Sequence, residues 1–128
     1  MTKLKLYISQ SANKGRGVFT KNAIKADTIV ETSPVIVMTN EERQFLDKTT
    51  LHDYIFEWQP NGNNACCMAL GTIPLYNHSY TSNCEYFMEY DKDTMYIKTV
   101  RDIVAGEELT INYSGDWNET KKVWFDAQ

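Results

Sequence analysis

Short β-prone runs, each cut off by a turn cluster, fill this chain of 128 residues and confine it to small sheets. Leu4, Leu6 and Ile8 alternate with Lys5, Tyr7 and Ser9, the period of a half-buried strand. The turn cluster Ser11-Ala12-Asn13-Lys14-Gly15-Arg16-Gly17 follows, and then β-prone runs at 18–20, 28–31 and 35–38. Thr39 and Glu42 have capping-box spacing and open a helix over 41–48, with Phe45 and Leu46 as its apolar edge. The run 51–58 reads as a strand stopped by Pro60, Asn61-Gly62-Asn63-Asn64 as a turn, and 65–70 as a short buried helix ended by Gly71. Runs at 84–90 and 95–100 flank a hairpin turn at Asp91-Lys92-Asp93-Thr94, and Ala105-Gly106-Glu107 turns the chain into a strand at 109–112. A last helix, capped by Asn118, carries Trp124 and Phe125. Many strands and little helix give a mostly β architecture of several small sheets. The length supports one hydrophobic core, so 1–128 is expected to form a single domain.

Composition narrows the function classes. A net charge of -4 argues against a general nucleic-acid binder, which needs Lys and Arg clustered on one face, and suits a lysine-rich protein partner better. No apolar run approaches the ~20 residues of a membrane span, and Met1-Thr2-Lys3-Leu4-Lys5-Leu6 lacks the apolar core of a signal peptide. An intracellular location is therefore expected, cytoplasmic by default with the nucleus left open. Cys66, Cys67 and Cys84 cannot all pair within one chain and lack the usual spacing of a metal knuckle, so they read as reduced and mostly buried.

Three stretches carry the candidate chemistry. Leu75-Tyr76-Asn77-His78-Ser79-Tyr80-Thr81-Ser82-Asn83-Cys84 concentrates amide, imidazole, hydroxyl and phenol groups, which a buried segment holds only if each finds a specific partner. Asn and His also serve as turn residues and as satisfied core groups. Lys14-Gly15-Arg16-Gly17-Val18-Phe19 sets two glycines around a long cation just before a strand, so successive N–H groups could converge on a carboxylate; a plain tight turn has the same residues. Glu107-Glu108-Leu109-Thr110-Ile111-Asn112-Tyr113 ends a strand on a tyrosine, which alone reads as an amphipathic core residue.

In this order and at these separations the three stretches resemble the SET-domain family of protein-lysine methyltransferases, over about 14–113 and with Ile24, Asp27, Ile29 and Glu31 also in the family's pattern. The resemblance implies a β-clip of small sheets with a knot-like crossing near the C-terminus and few short helices. It implies a core over 4–113, a variable substrate-side insert at 39–64 and a closing segment at 114–128. It also implies S-adenosylmethionine as methyl donor and a lysine-bearing protein or peptide, a histone-like one included, as substrate. Lys14, Gly15, Arg16 and Gly17 would hold the donor's methionine part, and Asn77 and His78 its amino-acid and adenine ends. Tyr113 matches the catalytic tyrosine of an in-line displacement in which a neutral lysine amine attacks the methyl. Tyr54 would stand close to both donor and lysine, and Tyr76, Tyr86 and Ile111 would line a lysine channel that favours mono- or dimethylation. Plain strand packing is the other reading of Tyr54, Tyr76 and Tyr86.

The chain also departs from the family. Zinc-bearing members carry Cys where Tyr80 stands, Pro where Ser82 stands, and a cysteine-rich tail. No Cys follows Cys84, so a site of that kind lacks its ligands and no metal is expected. Trp117, Trp124 and Phe125 are then the candidates to close the channel, either over the adenine, with Trp117 as a donor contact, or against a second copy in a homodimer. Two rivals from other classes stand beside the enzyme. One is a catalytically inactive SET-like module that binds donor or peptide. The other, a cysteine hydrolase built on Cys84, His78 and Asn83, fails because it rests on residue types alone and Cys84 lies in a strand pattern with no helix N-terminus to activate its thiolate.

Overall fold

The structure is a computed structural model and describes residues 4–12 and 15–113. In chain order these form β1 (Leu6–Ser11), β2 (Gly15–Thr20), β3 (Ile29–Met38), α1 (Asn40–Leu46), β4 (Phe56–Trp58), β5 (Ala65–Ala69), β6 (Asn77–His78), β7 (Cys84–Glu89), β8 (Thr94–Thr99) and β9 (Glu108–Ile111). Single 3-10 turns stand at Thr50–Asp53, Ile73–Leu75 and Tyr90–Lys92. One sheet has the strand order β1-β2-β9-β6 and the other β4-β5-β3-β8-β7. Two compact units result: Met1–Glu31 with Leu75–Phe87 and Tyr96–Gln128, and Thr32–Pro74 with Met88–Met95.

In the first unit, β1 and β2 pair antiparallel from Leu6 opposite Thr20 to Ser11 opposite Gly15. β2 then meets β9 at Val18 opposite Leu109 and Phe19 opposite Glu108. β6 lies parallel to β9, with Asn77 beside Thr110 and His78 beside Ile111. Alternation along β9 buries Leu109 and Ile111 and leaves Glu108 and Thr110 half-buried, which separates core from polar face. Val18, Ile24, Tyr76, Ile97, Ile103, Leu109 and Ile111 are buried in this unit, and burial of each large apolar side chain is worth about 1.5–3 kcal/mol.

In the second unit, β5 pairs antiparallel with β3 on one side, Val35 opposite Ala69 to Met38 opposite Cys66, and with β4 on the other. α1 opens with the expected capping box: Thr39 accepts from the Glu42 N–H, and the Glu42 carboxylate accepts from the Thr39 N–H. Trp58 is buried and meets Tyr90 edge-on, with ring centroids 4.7 Å apart.

Several local expectations change. The run 65–70 is a strand and not a helix, because Ala65, Cys66, Cys67 and Ala69 are all buried and a segment covered on both faces carries no period. Of the run 51–58 only Phe56–Trp58 is strand, since the Thr49 hydroxyl accepts from the Leu51 N–H and caps a 3-10 turn. The turn cluster shrinks, with β1 running on to Ser11 and β2 beginning at Gly15. Phe45 is 73% exposed and is no buried helix edge. Lys14, Trp117, Trp124, Phe125 and the Asn118 helix lie outside the described residues.

Thr99 offers a test of how the first unit is tied together. Its wholly buried hydroxyl donates to the Lys25 carbonyl at 2.7 Å and accepts from the Thr28 N–H at 3.0 Å. Thr99→Val keeps the shape and removes both bonds, so stability is expected to fall by about 1–3 kcal/mol. Urea titration would read this as a lower midpoint at unchanged slope, and an unchanged midpoint would contradict the assignment.

Candidate active site

Asn77 and His78 are placed by backbone pairing with β9, which the Ser79 N–H extends by donating to the Ile111 carbonyl at 3.0 Å. The loop beyond them is fastened by Asn83. Its Oδ1 accepts from the Thr110 N–H at 2.8 Å, and its Nδ2 donates to the Glu108 carbonyl at 2.8 Å and to Glu107 Oε2 at 3.2 Å. Asn83 is 3% exposed, so these bonds satisfy an amide that water scarcely reaches.

One polar cluster joins the first and last motifs. Asn77 Nδ2 donates to Glu108 Oε2 at 2.8 Å and to the Arg16 carbonyl at 3.1 Å, and Ser11 Oγ donates to Glu108 Oε1 at 2.8 Å. Gly17 makes room for it. A Cβ there would stand 2.2 Å from Glu108 Oε2 and 2.8 Å from Asn77 Nδ2. Gly15 instead has φ 75° with no heavy atom of the described residues within 4 Å of its absent Cβ, so its need is conformational. The N–H cradle expected of a loop is changed by this placement, because 15–17 belong to a strand and successive N–H groups of a strand point to opposite sides.

A second cluster surrounds Tyr113. Its N–H donates to His78 Nδ1 at 2.9 Å, which makes that nitrogen an acceptor and His78 the neutral Nε2–H tautomer. Its hydroxyl donates to the Tyr76 carbonyl at 2.6 Å. The His78 ring lies between two tyrosines, with centroids 4.5 Å from Tyr80 at 89° and 5.1 Å from Tyr113 at 59°. Tyr86 is half-buried, and its hydroxyl donates to the Tyr113 carbonyl at 3.5 Å.

Gly17, Asn77, His78, Tyr76, Tyr86 and Tyr113 are thus tied into these two clusters, and Gly15 and Arg16 are exposed at the start of β2. Tyr76 is 1% exposed with its hydroxyl donating 3.0 Å to Glu31 Oε1, and its carbonyl meets the Tyr113 hydroxyl. Ile111 is wholly buried. Tyr54 is half-buried in the other unit, just after the 3-10 turn at Thr50–Asp53. The sequence marks Ser11 only as a turn residue, for no local pattern links it to a carboxylate 97 positions away, and places Glu31 in the family's pattern without a role. Asn83 has a role only in the hydrolase rival and Glu108 has none, and the density of polar groups around Asn83 is the signal for the former.

The surrounding charges are ordered too. A hydrogen bond from Arg101 holds the Glu107 carboxyl below the usual range, and the same bond raises Arg101. Burial pushes the Cys84 thiol up to about 12, which disarms the nucleophile that a cysteine hydrolase would need. Among the described residues no group of three or more His, Cys, Asp or Glu side chains is arranged to hold a metal ion. No helix among them is long and apolar enough to cross a membrane.

Comparison with known proteins gives three findings. The model of the SET domain family matches residues 15–114. A Schizosaccharomyces pombe protein named as a histone-lysine N-methyltransferase specific for H3 lysine-37 is 33% identical over 124 residues, covering 96% of this chain and 78% of that protein. A Plasmodium falciparum crystal structure assigned as a histone methyltransferase superposes with a TM-score of 0.67 at 31% identity, over 93% of this chain and 100% of that one. CpSET8 from Cryptosporidium superposes at 0.68 with 25% identity, over 87% of this chain and 58% of that one.

The geometry makes two predictions. Gly17→Ala should destabilise the protein by about 1–3 kcal/mol by forcing Glu108 off its partners, and should cost clearly less in a Glu108→Ala background. Thermal unfolding of the four proteins checks this, and additive losses would rule out the contact. Burial also pushes Cys67 up to about 12, so native Cys67 and Cys84 should alkylate at pH 8 roughly three orders of magnitude more slowly than in denaturant. Mass spectrometry after iodoacetamide treatment reads the rates, and fast native labelling of either thiol would refute the burial argument.

Proposed function

The chain belongs to the SET domain family and is a protein-lysine N-methyltransferase, and on that premise we propose that it takes its methyl group from S-adenosylmethionine and acts on a histone-like, lysine-rich protein. The observation that carries this reading is the fastening of Tyr113 at both ends, by His78 at its N–H and by the Tyr76 carbonyl at its hydroxyl. A phenol that gives its proton to a carbonyl keeps its oxygen lone pairs for another partner. The N–H of a neutral lysine amine is that partner, and accepting it turns the nitrogen lone pair toward the methyl.

The residues present fit the donor. Its amino-acid end carries an ammonium and a carboxylate; the start of β2 offers the exposed Arg16 side chain, and the Arg16 carbonyl and the Glu108 carboxylate are acceptors gathered at the Asn77 amide. Gly15, Arg16, Gly17, Asn77 and His78 would hold the donor, with Lys14, Tyr54 and Trp117 as further contacts. When bound, S-adenosylmethionine supplies an electrophilic methyl on a sulfonium sulfur. The chain's own part is to orient and desolvate. Tyr76, Tyr86 and Ile111 remain the proposed lysine side, where exclusion of water lowers the lysine pKa and favours the neutral amine.

An intracellular location belongs to the same proposal, with the nucleus as the compartment that a histone substrate requires. Closure of the site by the C-terminal aromatics, in one chain or in a homodimer, belongs to it as well.

Tyr113→Phe removes the hydroxyl and little else. Transfer of label from S-adenosylmethionine to lysine-rich proteins is expected to fall by about 10²-fold or more, while the circular dichroism spectrum stays that of the parent. Parent-like turnover in this variant would overturn the assignment of Tyr113. Donor binding without methyl transfer in either protein would indicate the inactive binding module.

A further inference from the structure

Tyr113 is aimed by a carbonyl, and that carbonyl is itself held by a contact outside the three motifs. Tyr76 lies between the 3-10 turn that ends at Leu75 and β6, which begins at Asn77. β6 is two residues long, so strand pairing fixes the chain only from Asn77 onward. The direction of the Tyr76 carbonyl then depends on what fixes the residue itself. Its ring is enclosed in the core at 1% exposure, and the far end of that ring donates 3.0 Å to Glu31 Oε1. Glu31 lies in β3, 45 positions earlier, in the same compact unit.

We propose that Glu31 is a positioning residue for Tyr113, acting through Tyr76. The proposal rests on the methyltransferase reading only for its kinetic consequence. A phenol enclosed in a core must direct its O–H at an acceptor. Glu31 supplies one, and this sets the rotation of the Tyr76 ring and with it the peptide that follows. Without that acceptor the ring turns or admits water, and either movement carries the carbonyl away from the Tyr113 hydroxyl. A displacement of about 1 Å at such a point costs as much as 10²-fold in rate. Glu31 touches neither substrate nor donor in this account. Its charge is not the property in use, for what Tyr76 needs is an acceptor oxygen.

The test uses the full chain labelled with ¹³Cζ-tyrosine, with the Tyr113 resonance assigned by its loss in Tyr113→Phe. Glu31→Gln keeps an acceptor oxygen and should leave that resonance and kcat close to the parent's. Glu31→Leu and Tyr76→Phe each break the link, and both should shift the Tyr113 resonance. Both should lower kcat by roughly 10-fold or more, with KM for donor and substrate changed less than about twofold. The double variant should be no worse than Glu31→Leu alone. A lower melting temperature in Glu31→Leu with an unmoved Tyr113 resonance would sink the proposal, as would a Glu31→Gln as damaged as Glu31→Leu. Should Glu31→Leu fail to fold, Tyr76→Phe decides by the same resonance. If the parent transfers no methyl group, the resonance alone decides the positioning, and the methyltransferase reading falls separately.

Discussion

Asn83 bonds to the backbone of β9 much as a neighbouring strand would, and the site depends on that substitution. β6 meets β9 only at Asn77 and His78. The Glu108 carbonyl and the Thr110 N–H need partners, and Asn83 gives both through one side chain. Its own N–H donates to Thr110 Oγ1 at 3.3 Å, and its carbonyl accepts from the Val100 N–H at 2.9 Å. With that loop fixed, Asn77 reaches Glu108 above Gly17, and His78 comes to rest where the Tyr113 N–H can donate to it. A shorter or apolar side chain at 83 would leave two backbone groups in need of partners, so the cost falls first on β9, which leads into Tyr113.

How much of this could be read from the sequence depended on whether a residue's partner was near in the chain. The capping box at Thr39 and the alternation that makes β1 a strand are local, and both are legible. The order of the three motifs gave the family through resemblance, and with it Tyr113. Gly17 was legible as a glycine in a turn, yet its reason for being glycine is the Glu108 carboxylate packed against it from the far end of the sequence. The misread 65–70 failed because burial on both faces erases the period. Tyr76 was legible as an aromatic near the chemistry, but that its carbonyl meets Tyr113 is a matter of backbone direction, on which side-chain identity is silent.

The electrostatics separate the structural pairs from the chemical ones. Arg101 and Glu107 form an ion pair that holds the turn before β9: Glu107 also accepts from the Val104 N–H and from Asn83. The Glu107 carboxyl is depressed, so its stabilising effect is full above the ordinary carboxylate pKa and is lost as pH falls through the lowered value. Beside Tyr113 the groups are instead a neutral imidazole and a backbone carbonyl. A methyl transfer to a neutral amine suits such surroundings, because it needs the nucleophile oriented and dry.

The contacts that make the site also decide when it can exist. Tyr113 reaches Tyr76 across 37 positions, Asn77 reaches Glu108 across 31, and Ser11 reaches Glu108 across 97. Each closes a loop whose entropy must be offset by the packing it permits, and the last two share Glu108. The pairing of β9 with β2 and β6 is what brings Glu108 to Ser11 and Asn77. Pairing dominated by such separations is slow relative to local structure, and the capping box of α1 can form long before it. The aim of Tyr113 thus draws on the whole sheet β1-β2-β9-β6 and on Glu31 of β3, and not on one local segment.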